Sequence, residues 1–132
     1  MTDVAWIERP EQLTAWAPRL AAAPWIALDT ESNSMFAYRE RVCLVQINAG
    51  GALALIDPLA LAPAGPAPET LAPLRAALED AGKPKYLHGA EYDVGALRRD
   101  FAIALKGVRD TQQAASLLGW ERSGYGAVVE RV

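Results

Sequence analysis

Two acidic residues at the end of an apolar run constrain this chain more than any other feature. The run covers residues 25–31 and contains Asp29 and Glu31. In a strand, successive side chains point to opposite faces, so Ile26 and Leu28 share one face. Asp29 and Glu31 then share the other, about 7 Å apart along the strand, where their charges repel. Divalent cations such as Mg²⁺ and Mn²⁺ favour oxygen ligands and would relieve that repulsion.

The length and composition fit one globular domain. The chain has 132 residues, of which 52% are hydrophobic and 22% are charged. Such a chain can bury a core and lacks the polar excess of disordered segments. We therefore expect a single domain over residues 1–132. No apolar stretch approaches the roughly 20 residues that cross a bilayer, and the first residues lack the basic start of a secretory signal, so we expect a cytoplasmic protein without a membrane partner.

The charge is unevenly distributed along the chain. The net charge of −3 argues against binding nucleic acid by bulk electrostatics alone. Residues 83–132 carry 8 basic and 6 acidic residues, a net charge of +2, whereas the preceding part is acidic. A polyanion contact is therefore expected in the second half, and a solvated surface of mixed charge is the alternative. The candidate cations are Lys83, Lys85, Arg98, Arg99, Lys106 and Arg109.

The remaining pattern alternates helices and strands. A helix is expected from Pro10, with Leu13, Trp16 and Leu20 on its buried face and a disturbance at Pro18. The pair Gly50 and Gly51 separates two strand-like runs and predicts an antiparallel hairpin. The other expected elements are a stiff surface loop over residues 58–68, helices over residues 69–81 and 90–101, strands over residues 83–88 and 107–109, and helices beginning near residues 110 and 125.

Asp93 and Asp110 each have a structural and a functional interpretation. Asp93 shares a helix face with Ala90, Ala96 and Leu97, which should pack inward, and a buried carboxylate is costly unless something pairs with it. A helix N-terminus also attracts acids without any ligand, so both roles stay open for Asp93. Asp110 precedes a helix, and its position favours a capping role over a metal-binding one.

The order of these segments resembles the ribonuclease D type of DEDD 3′-to-5′ exonuclease, within the ribonuclease H-like superfamily. Residues 28–31, 41–47 and 55–58 resemble the start of that domain, and residues 88–93 with Leu97 resemble its second motif. Residues 110–119 resemble its next helix. The likeness extends over residues 25–132 in the same order, which makes it far more specific than an isolated Asp-x-Glu.

The resemblance implies an α/β fold with a mixed five-stranded sheet flanked by helices. It also implies metal-dependent removal of nucleoside 5′-monophosphates from the 3′ end of single-stranded RNA or DNA. Asp29 would bridge two Mg²⁺ or Mn²⁺ ions, Glu31 would bind the ion that activates water, and Asp93 would hold the other ion through water. Two such ions, about 3.5–4 Å apart, can stabilise both the attacking and the leaving oxygen.

One motif of that family is absent. The family carries a Tyr or His followed four residues later by Asp, which supplies the fourth carboxylate and orients the attacking water. Here Tyr125 is followed four residues later by Val129, and no Tyr-x-x-x-Asp occurs after Asp93. The sequence therefore predicts a domain truncated before its third motif and its C-terminal helices. An exonuclease completed in a longer protein and a catalytically incomplete binding or scaffold domain both stay open.

Four residues are candidates for contact with nucleic acid: Met35, Phe36, His88 and Tyr92. Met35 and Phe36 follow the acidic pair and could stack on a terminal base or pack beneath a loop. His88 could contact a phosphate or act as a base, although a hydrogen-bonded structural histidine is the favoured interpretation. RNA is favoured over DNA, but a short motif cannot distinguish the two sugars, and the oligomeric state is not predicted.

Overall fold

The computed structural model describes residues 3–35, 37–63 and 69–132, and these contain one six-stranded sheet. Its spatial order is β1-β4-β3-β2-β5-β6. The strands β2–β3 and β3–β4 pair antiparallel, and the other three neighbouring pairs are parallel. The strands are β1 (Val4–Ile7), β2 (Ile26–Ser32), β3 (Val42–Ala49), β4 (Ala52–Ile56), β5 (Lys85–Leu87) and β6 (Val108–Asp110). The predicted mixed α/β architecture is confirmed.

The sheet has one strand more than the five that were predicted. The additional strand is β1, which pairs in parallel with β4 at the edge of the sheet. Val4 and Trp6 remain about half exposed there, at 51% and 49%. A strand of four residues shows too little alternation of apolar and polar side chains to be recognised in the sequence. Its formation depends on the pairing with β4, which is a contact between distant segments.

The helices follow the predicted order with several shifted boundaries. They are α1 (Pro10–Ala22), α2 (Pro58–Leu61), α3 (Ala72–Leu78), α4 (Ala90–Phe101), α5 (Thr111–Leu117) and α6 (Tyr125–Arg131), with a 3₁₀ turn at Glu69–Leu71 before α3. The expected disturbance at Pro18 is absent, since α1 continues through it. Buried Leu13, Trp16 and Leu20 anchor α1 on both sides of the proline, which offsets the lost backbone hydrogen bond. None of the described helices is long and apolar enough to span a membrane.

The loop expected over residues 58–68 begins with a helix. Asp57 caps α2, because its Oδ1 accepts a hydrogen bond from the Ala60 amide at 2.9 Å. Pro58 occupies the first helical turn, where its missing amide hydrogen costs nothing. Residues 64–68 lie outside the described part, so the remainder of this prediction is untested.

One face of the sheet carries the core. Ile26 and Leu28 of β2 are buried there with Val45 of β3 and Ile56 of β4. Helices α1, α3 and α4 contribute the opposing apolar side chains, among them Leu20, Leu78 and Leu97, to the same cluster. The buried apolar area of this layer holds β2 and α4 in fixed positions.

The opposite face of the sheet is more exposed. Leu53 and Leu55 of β4 are only half-buried, and Val4 and Tyr86 are exposed. The predicted hairpin turn closes the β3–β4 edge, where Gly50 and Gly51 adopt φ values of 59° and 106°. Side chains with a Cβ rarely adopt such values, so the two glycines allow the tight reversal. Asp29 projects from β2 on this more exposed face.

Candidate active site

Asp29 and Glu31 point to the same side of β2, as the sequence predicts. Both side chains are exposed. By contrast, Leu28, which precedes Asp29, is 6% exposed, and Thr30, which lies between the two acids, is 7% exposed. The Cα partner of Asp29 on β3 is Gln46, and the pairing register shifts between Glu31 and Ser32. The alternation of the strand therefore presents two carboxylates to solvent while the intervening Thr30 turns inward.

Asp93 connects α4 to the residue that lies between those two acids. It is 4% exposed, and its Oδ1 accepts hydrogen bonds from the Thr30 amide at 3.1 Å and from Thr30 Oγ1 at 2.6 Å. Among the described residues, both hydrogen bonds of this carboxylate use Oδ1. Oδ2 is therefore available as an acceptor for a cation or a water molecule.

The electrostatics of this carboxylate favour a cation. Burial raises the pKa of Asp93, the hydrogen bond from the Thr30 hydroxyl lowers it, and the charge of Asp29 raises it further. The net pKa of Asp93 lies above its ordinary value. The two carboxylates are therefore close enough to repel, and a divalent cation between them would remove that penalty.

The three predicted ligands do not converge as a complete set. Asp29 and Asp93 interact, and Glu31 projects from the same strand face as Asp29. Within residues 3–35, 37–63 and 69–132, no three His, Cys, Asp or Glu side chains lie close enough to hold one ion. The oxygen donors present nevertheless suit a hard cation such as Mg²⁺ or Mn²⁺, and the charges of Asp29 and Asp93 interact.

Asp110 has the structural role that its position predicts, and it also contacts a second helix. Its Oδ1 caps α5 by accepting hydrogen bonds from the Gln112 and Gln113 amides at 2.8 and 3.2 Å. The same carboxylate accepts from the amides of Gly89 and Ala90 at 3.0 and 2.7 Å, where α4 begins. Burial raises the pKa of Asp110, but the four amides outweigh this effect and hold the pKa below its ordinary value.

His88 is hydrogen-bonded through one of its two ring nitrogens. Its Nδ1 lies 2.9 Å from Thr111 Oγ1, and that hydroxyl donates to the Leu87 carbonyl at 3.1 Å. The ring of Tyr125 packs edge-on against the imidazole, with the ring centroids 5.5 Å apart. In the part of the chain that the structure describes, Nε2 of His88 is buried and has no hydrogen-bond partner.

The other candidates for nucleic acid contact have different environments. Met35 is 89% exposed, so it does not pack beneath the loop, and Phe36 lies outside the described residues. Tyr92 is 45% exposed, and its hydroxyl donates to Glu40 at 3.4 Å. Tyr92 thus contacts the loop that follows β2, and this loop begins just after the acidic pair.

Two of the expected surface cations are buried. Lys83 donates through Nζ to the Leu20 and Ala21 carbonyls at the end of α1, and fully buried Lys85 donates to the Asp80 carbonyl. These backbone partners could not be recognised from the sequence, because they come from other elements. The prediction that both lysines are available to a polyanion is therefore wrong.

Arg99 is engaged by acids as well. Its guanidinium binds Asp100 through Nε and Nη2, at 2.8 and 3.1 Å, and reaches Glu40 at 3.3 Å. Buried Asp100, which belongs to no recognisable motif, also accepts a hydrogen bond from the Val42 amide at 2.8 Å. Arg98, Lys106 and Arg109 stay exposed and are the remaining candidates among the predicted cations.

A groove of about 810 Å³ lies on the more exposed face of the sheet. Asp29, His88 and Tyr125 line one part of it, and Leu53 and Leu55 line another. The lining thus combines an acid, an imidazole and apolar side chains. Such a combination can accommodate a ligand with both charged and apolar parts.

Comparison with known proteins gives a consistent result. A family model described as 3′-5′ exonuclease matches residues 4–132. Ribonuclease D of Escherichia coli is 32% identical over 125 residues, which cover 94% of this chain and 32% of that protein. Protein RRP6-like 3 of Arabidopsis thaliana is 31% identical over 127 residues, covering 96% of this chain and 14% of that protein.

Solved structures agree with this comparison. The structure of Escherichia coli RNase D, described as an exoribonuclease involved in structured RNA processing, has a TM-score of 0.81 at 30% identity and covers 98% of this chain and 33% of that one. Trypanosoma brucei RNase D in complex with RNA U12 has a TM-score of 0.82 at 26% identity, covering 99% of this chain and 47% of that one. The chain spans about a third or less of the length of the curated relatives described above.

Proposed function

Because the chain belongs to the 3′-5′ exonuclease family, we propose that it forms part of the catalytic domain of a ribonuclease D-like enzyme that shortens RNA from its 3′ end. The observation that carries this proposal is the pair of hydrogen bonds from Thr30 to Asp93. It fixes a buried carboxylate beside the strand residue that separates Asp29 from Glu31. Three acids supplied by one strand and one helix suit phosphoryl chemistry, which depends on positioning and charge stabilisation.

Exonucleases of this family normally use divalent metal ions, and we propose two, Mg²⁺ or Mn²⁺. Asp29, Glu31 and Asp93 would hold them. When bound, such ions lower the pKa of a water molecule and stabilise negative charge on the phosphate oxygens. Oδ2 of Asp93 supports this assignment, because the described hydrogen bonds leave it free.

The residues of the chain would orient the reaction. Thr30 holds the Asp93 carboxylate through two hydrogen bonds, so the side chain cannot rotate away from β2. Asp110 holds the first amides of α4 and thereby sets the position of the helix that carries Asp93. Hydrolysis would add water to the terminal phosphodiester, release a nucleoside 5′-monophosphate and leave a new 3′ hydroxyl on the shortened strand.

The substrate is proposed to be the 3′ end of a single-stranded RNA. This choice is supported by the structure of the related Trypanosoma brucei RNase D, which is a complex with RNA U12. Exposed Met35 follows the acidic pair in the chain, and half-exposed Tyr92 directly precedes Asp93, so both would contact bases or sugars. Phe36, which lies outside the described residues, is proposed to contact nucleic acid on the basis of its sequence position alone.

A second candidate function is a binding or scaffold domain without turnover. It is favoured by the absence of three converging ligand side chains among the described residues. Such a domain would bind RNA equally well with and without divalent cations. An exonuclease would form shorter products only when Mg²⁺ or Mn²⁺ is present.

We expect the Asp29→Asn variant to lose at least about a hundredfold in the rate of 3′ trimming, because even residues that orient metal ligands contribute up to that factor. The assay follows a 5′-labelled single-stranded RNA on a sequencing gel, with and without Mn²⁺. The matched control is Glu121→Gln, an exposed acid that does not line the groove beside Asp29.

The outcomes separate the two functions. A Mn²⁺-dependent ladder that Asp29→Asn abolishes and Glu121→Gln preserves supports the exonuclease. RNA binding that is unaffected by EDTA, without any ladder from the folded chain, supports the scaffold. Equal ladders from the parent chain and Asp29→Asn would exclude the proposed metal site. The same assay with DNA of identical sequence determines the sugar preference.

A further inference from the structure

The hydrogen bonds around His88 favour one position for the proton of its neutral ring. Thr111 Oγ1 has a single hydrogen, and it donates that hydrogen to the Leu87 carbonyl at 3.1 Å. The contact of 2.9 Å between Thr111 Oγ1 and His88 Nδ1 can then form only if Nδ1 is the donor. In the neutral imidazole, Nε2 therefore carries a lone pair and no hydrogen.

This lone pair lacks a partner among the described residues. Nε2 is buried, and a buried acceptor without a donor costs free energy that a correctly placed donor would recover. A phosphate group cannot provide that donor, because its oxygens are acceptors at neutral pH. The phosphate contact considered for His88 from the sequence is therefore disfavoured for the neutral ring.

The position of His88 relates it to the acidic site. Ala27 of β2 is the parallel partner of Tyr86 of β5. Asp29 follows Ala27 by two residues, and His88 follows Tyr86 by two residues. Both side chains line the same groove. Adjacent strands lie about 4.8 Å apart, and a ligand that fills this groove from Asp29 would reach His88.

We infer that Nε2 of His88 accepts a hydrogen bond from a ribose hydroxyl of the terminal nucleotide, which makes His88 a determinant of specificity for the sugar. The inference rests on the proposed function, since it requires a scissile phosphate at the Asp29 site. The terminal sugar is joined to that phosphate through its 5′ carbon, so its 2′ and 3′ hydroxyls lie within one sugar ring of the Asp29 site. Hydroxyl donors occur on every ribonucleotide, so the contact would serve any base sequence.

Access to Nε2 depends on Tyr125. Its ring packs against the imidazole, yet the side chain is 69% exposed, and α6 has no buried residue. Little packing is lost when this ring turns aside, so a sugar can replace it against His88.

The tautomer can be measured without ambiguity because His88 is the single histidine of the sequence. Nitrogen-15 NMR of the histidine-labelled chain should show a protonated Nδ1 and an unprotonated Nε2 at neutral pH. Thr111→Val, which removes the hydroxyl, should allow the other tautomer to appear, whereas Thr111→Ser should preserve the Nδ1–H form. A protonated Nε2 in the parent chain would refute the inference and leave the proposed function intact.

The contact itself is tested with short RNA strands that differ only in the last sugar. With Ca²⁺ replacing Mg²⁺ to keep the strand intact, a ribose end should shift the Nε2 resonance, and a 2′,3′-dideoxy end should not. His88→Asn keeps a donor for Thr111 and removes Nε2. It should weaken binding of the ribose end roughly three- to tenfold and leave binding of the dideoxy end unchanged.

Strands with a 2′-deoxy or a 3′-deoxy end identify which hydroxyl donates, and dependence on either one supports the inference. Equal binding of ribose and dideoxy ends with equal Nε2 shifts would refute it, while metal-dependent trimming could still occur. If the chain binds no RNA at all, the proposed function and this inference fail together.

Discussion

Thr30 and Asp93 form the contact on which the residues of the candidate site depend. The Thr30 amide and hydroxyl both donate to one oxygen of Asp93, at 3.1 and 2.6 Å. This arrangement holds a carboxylate in a buried position where its charge is unfavourable. A protein retains such a group at a cost to stability when the charge serves a function.

We expect Asp93→Asn to raise the free energy of unfolding by up to about 1 kcal/mol in EDTA at pH 7, although it should abolish activity. Asparagine keeps an oxygen that accepts from Thr30, and it removes the repulsion with Asp29. Urea denaturation measures the change. Asp93→Ala, which loses both hydrogen bonds, should instead destabilise by about 1–3 kcal/mol. Equal losses for the two variants would contradict this account.

Asp110 gives a dependence of stability on pH. Its pKa lies below the ordinary value in the folded chain, so its contribution is present above the unfolded pKa of about 3.9. The contribution is lost as the pH falls through the folded pKa. We expect Asp110→Asn to lower the free energy of unfolding by about 1–2 kcal/mol at pH 7 and by clearly less near pH 3. Urea denaturation at both pH values checks this, and a difference that is independent of pH would argue against it.

At the scale of elements, the start of α4 is defined by Gly89. Its φ is +73°, and a Cβ placed there would lie 3.0 Å from Gln112 Oε1. This backbone conformation directs the Gly89 and Ala90 amides to Asp110, so β6 and α5 determine where α4 begins. The position of Asp93 one turn later follows from this contact.

We expect Gly89→Ala to destabilise the domain by about 1–2 kcal/mol, because an L side chain is strained at this φ. The matched control is Gly95→Ala within the same helix, where a Cβ would meet no atom within 4 Å. That change should stabilise by about 0.5–1 kcal/mol, since alanine favours helix. Thermal and urea denaturation compare the two variants, and the same sign for both would show that the turn conformation is not responsible.

At the scale of the whole molecule, the sheet has one well-covered face and one more exposed face. Helices α1, α3 and α4 bury the first, whereas the groove with Asp29 and His88 lies on the second. The core therefore packs against the face of β2 opposite Asp29, and the Asp29 side chain faces the open groove. A cation bound to it would stabilise the folded chain alone, because unfolding disperses its ligands.

We expect Mg²⁺, at about 100 times its Kd, to raise the Tm by roughly 5–10 °C. Asp29→Asn should lose most of this increase, and Glu121→Gln should keep it. Differential scanning fluorimetry at constant ionic strength measures the effect. An equal increase in Asp29→Asn would mean that the ion stabilises the chain at another place.

The sequence alone predicted much of this molecule where the signal is local. The alternation of β2 placed Asp29 and Glu31 on one face, and Gly50 and Gly51 predicted the hairpin, because both patterns depend on neighbouring residues. The capping role of Asp110 was likewise local. The order of the acidic motifs identified the family that the family model matches.

Only the tertiary structure determined the contacts between distant segments. It buried Lys83 and Lys85 against backbone carbonyls, added β1 to the sheet, and brought Asp93 to Thr30 across 63 residues of sequence. It also placed the Thr111 hydroxyl 2.9 Å from Nδ1 of His88, across 23 residues of sequence. The physical reason is that burial and hydrogen-bond partners are set by packing between elements, whereas the periodicity of a sequence specifies only which side of its own element a residue occupies.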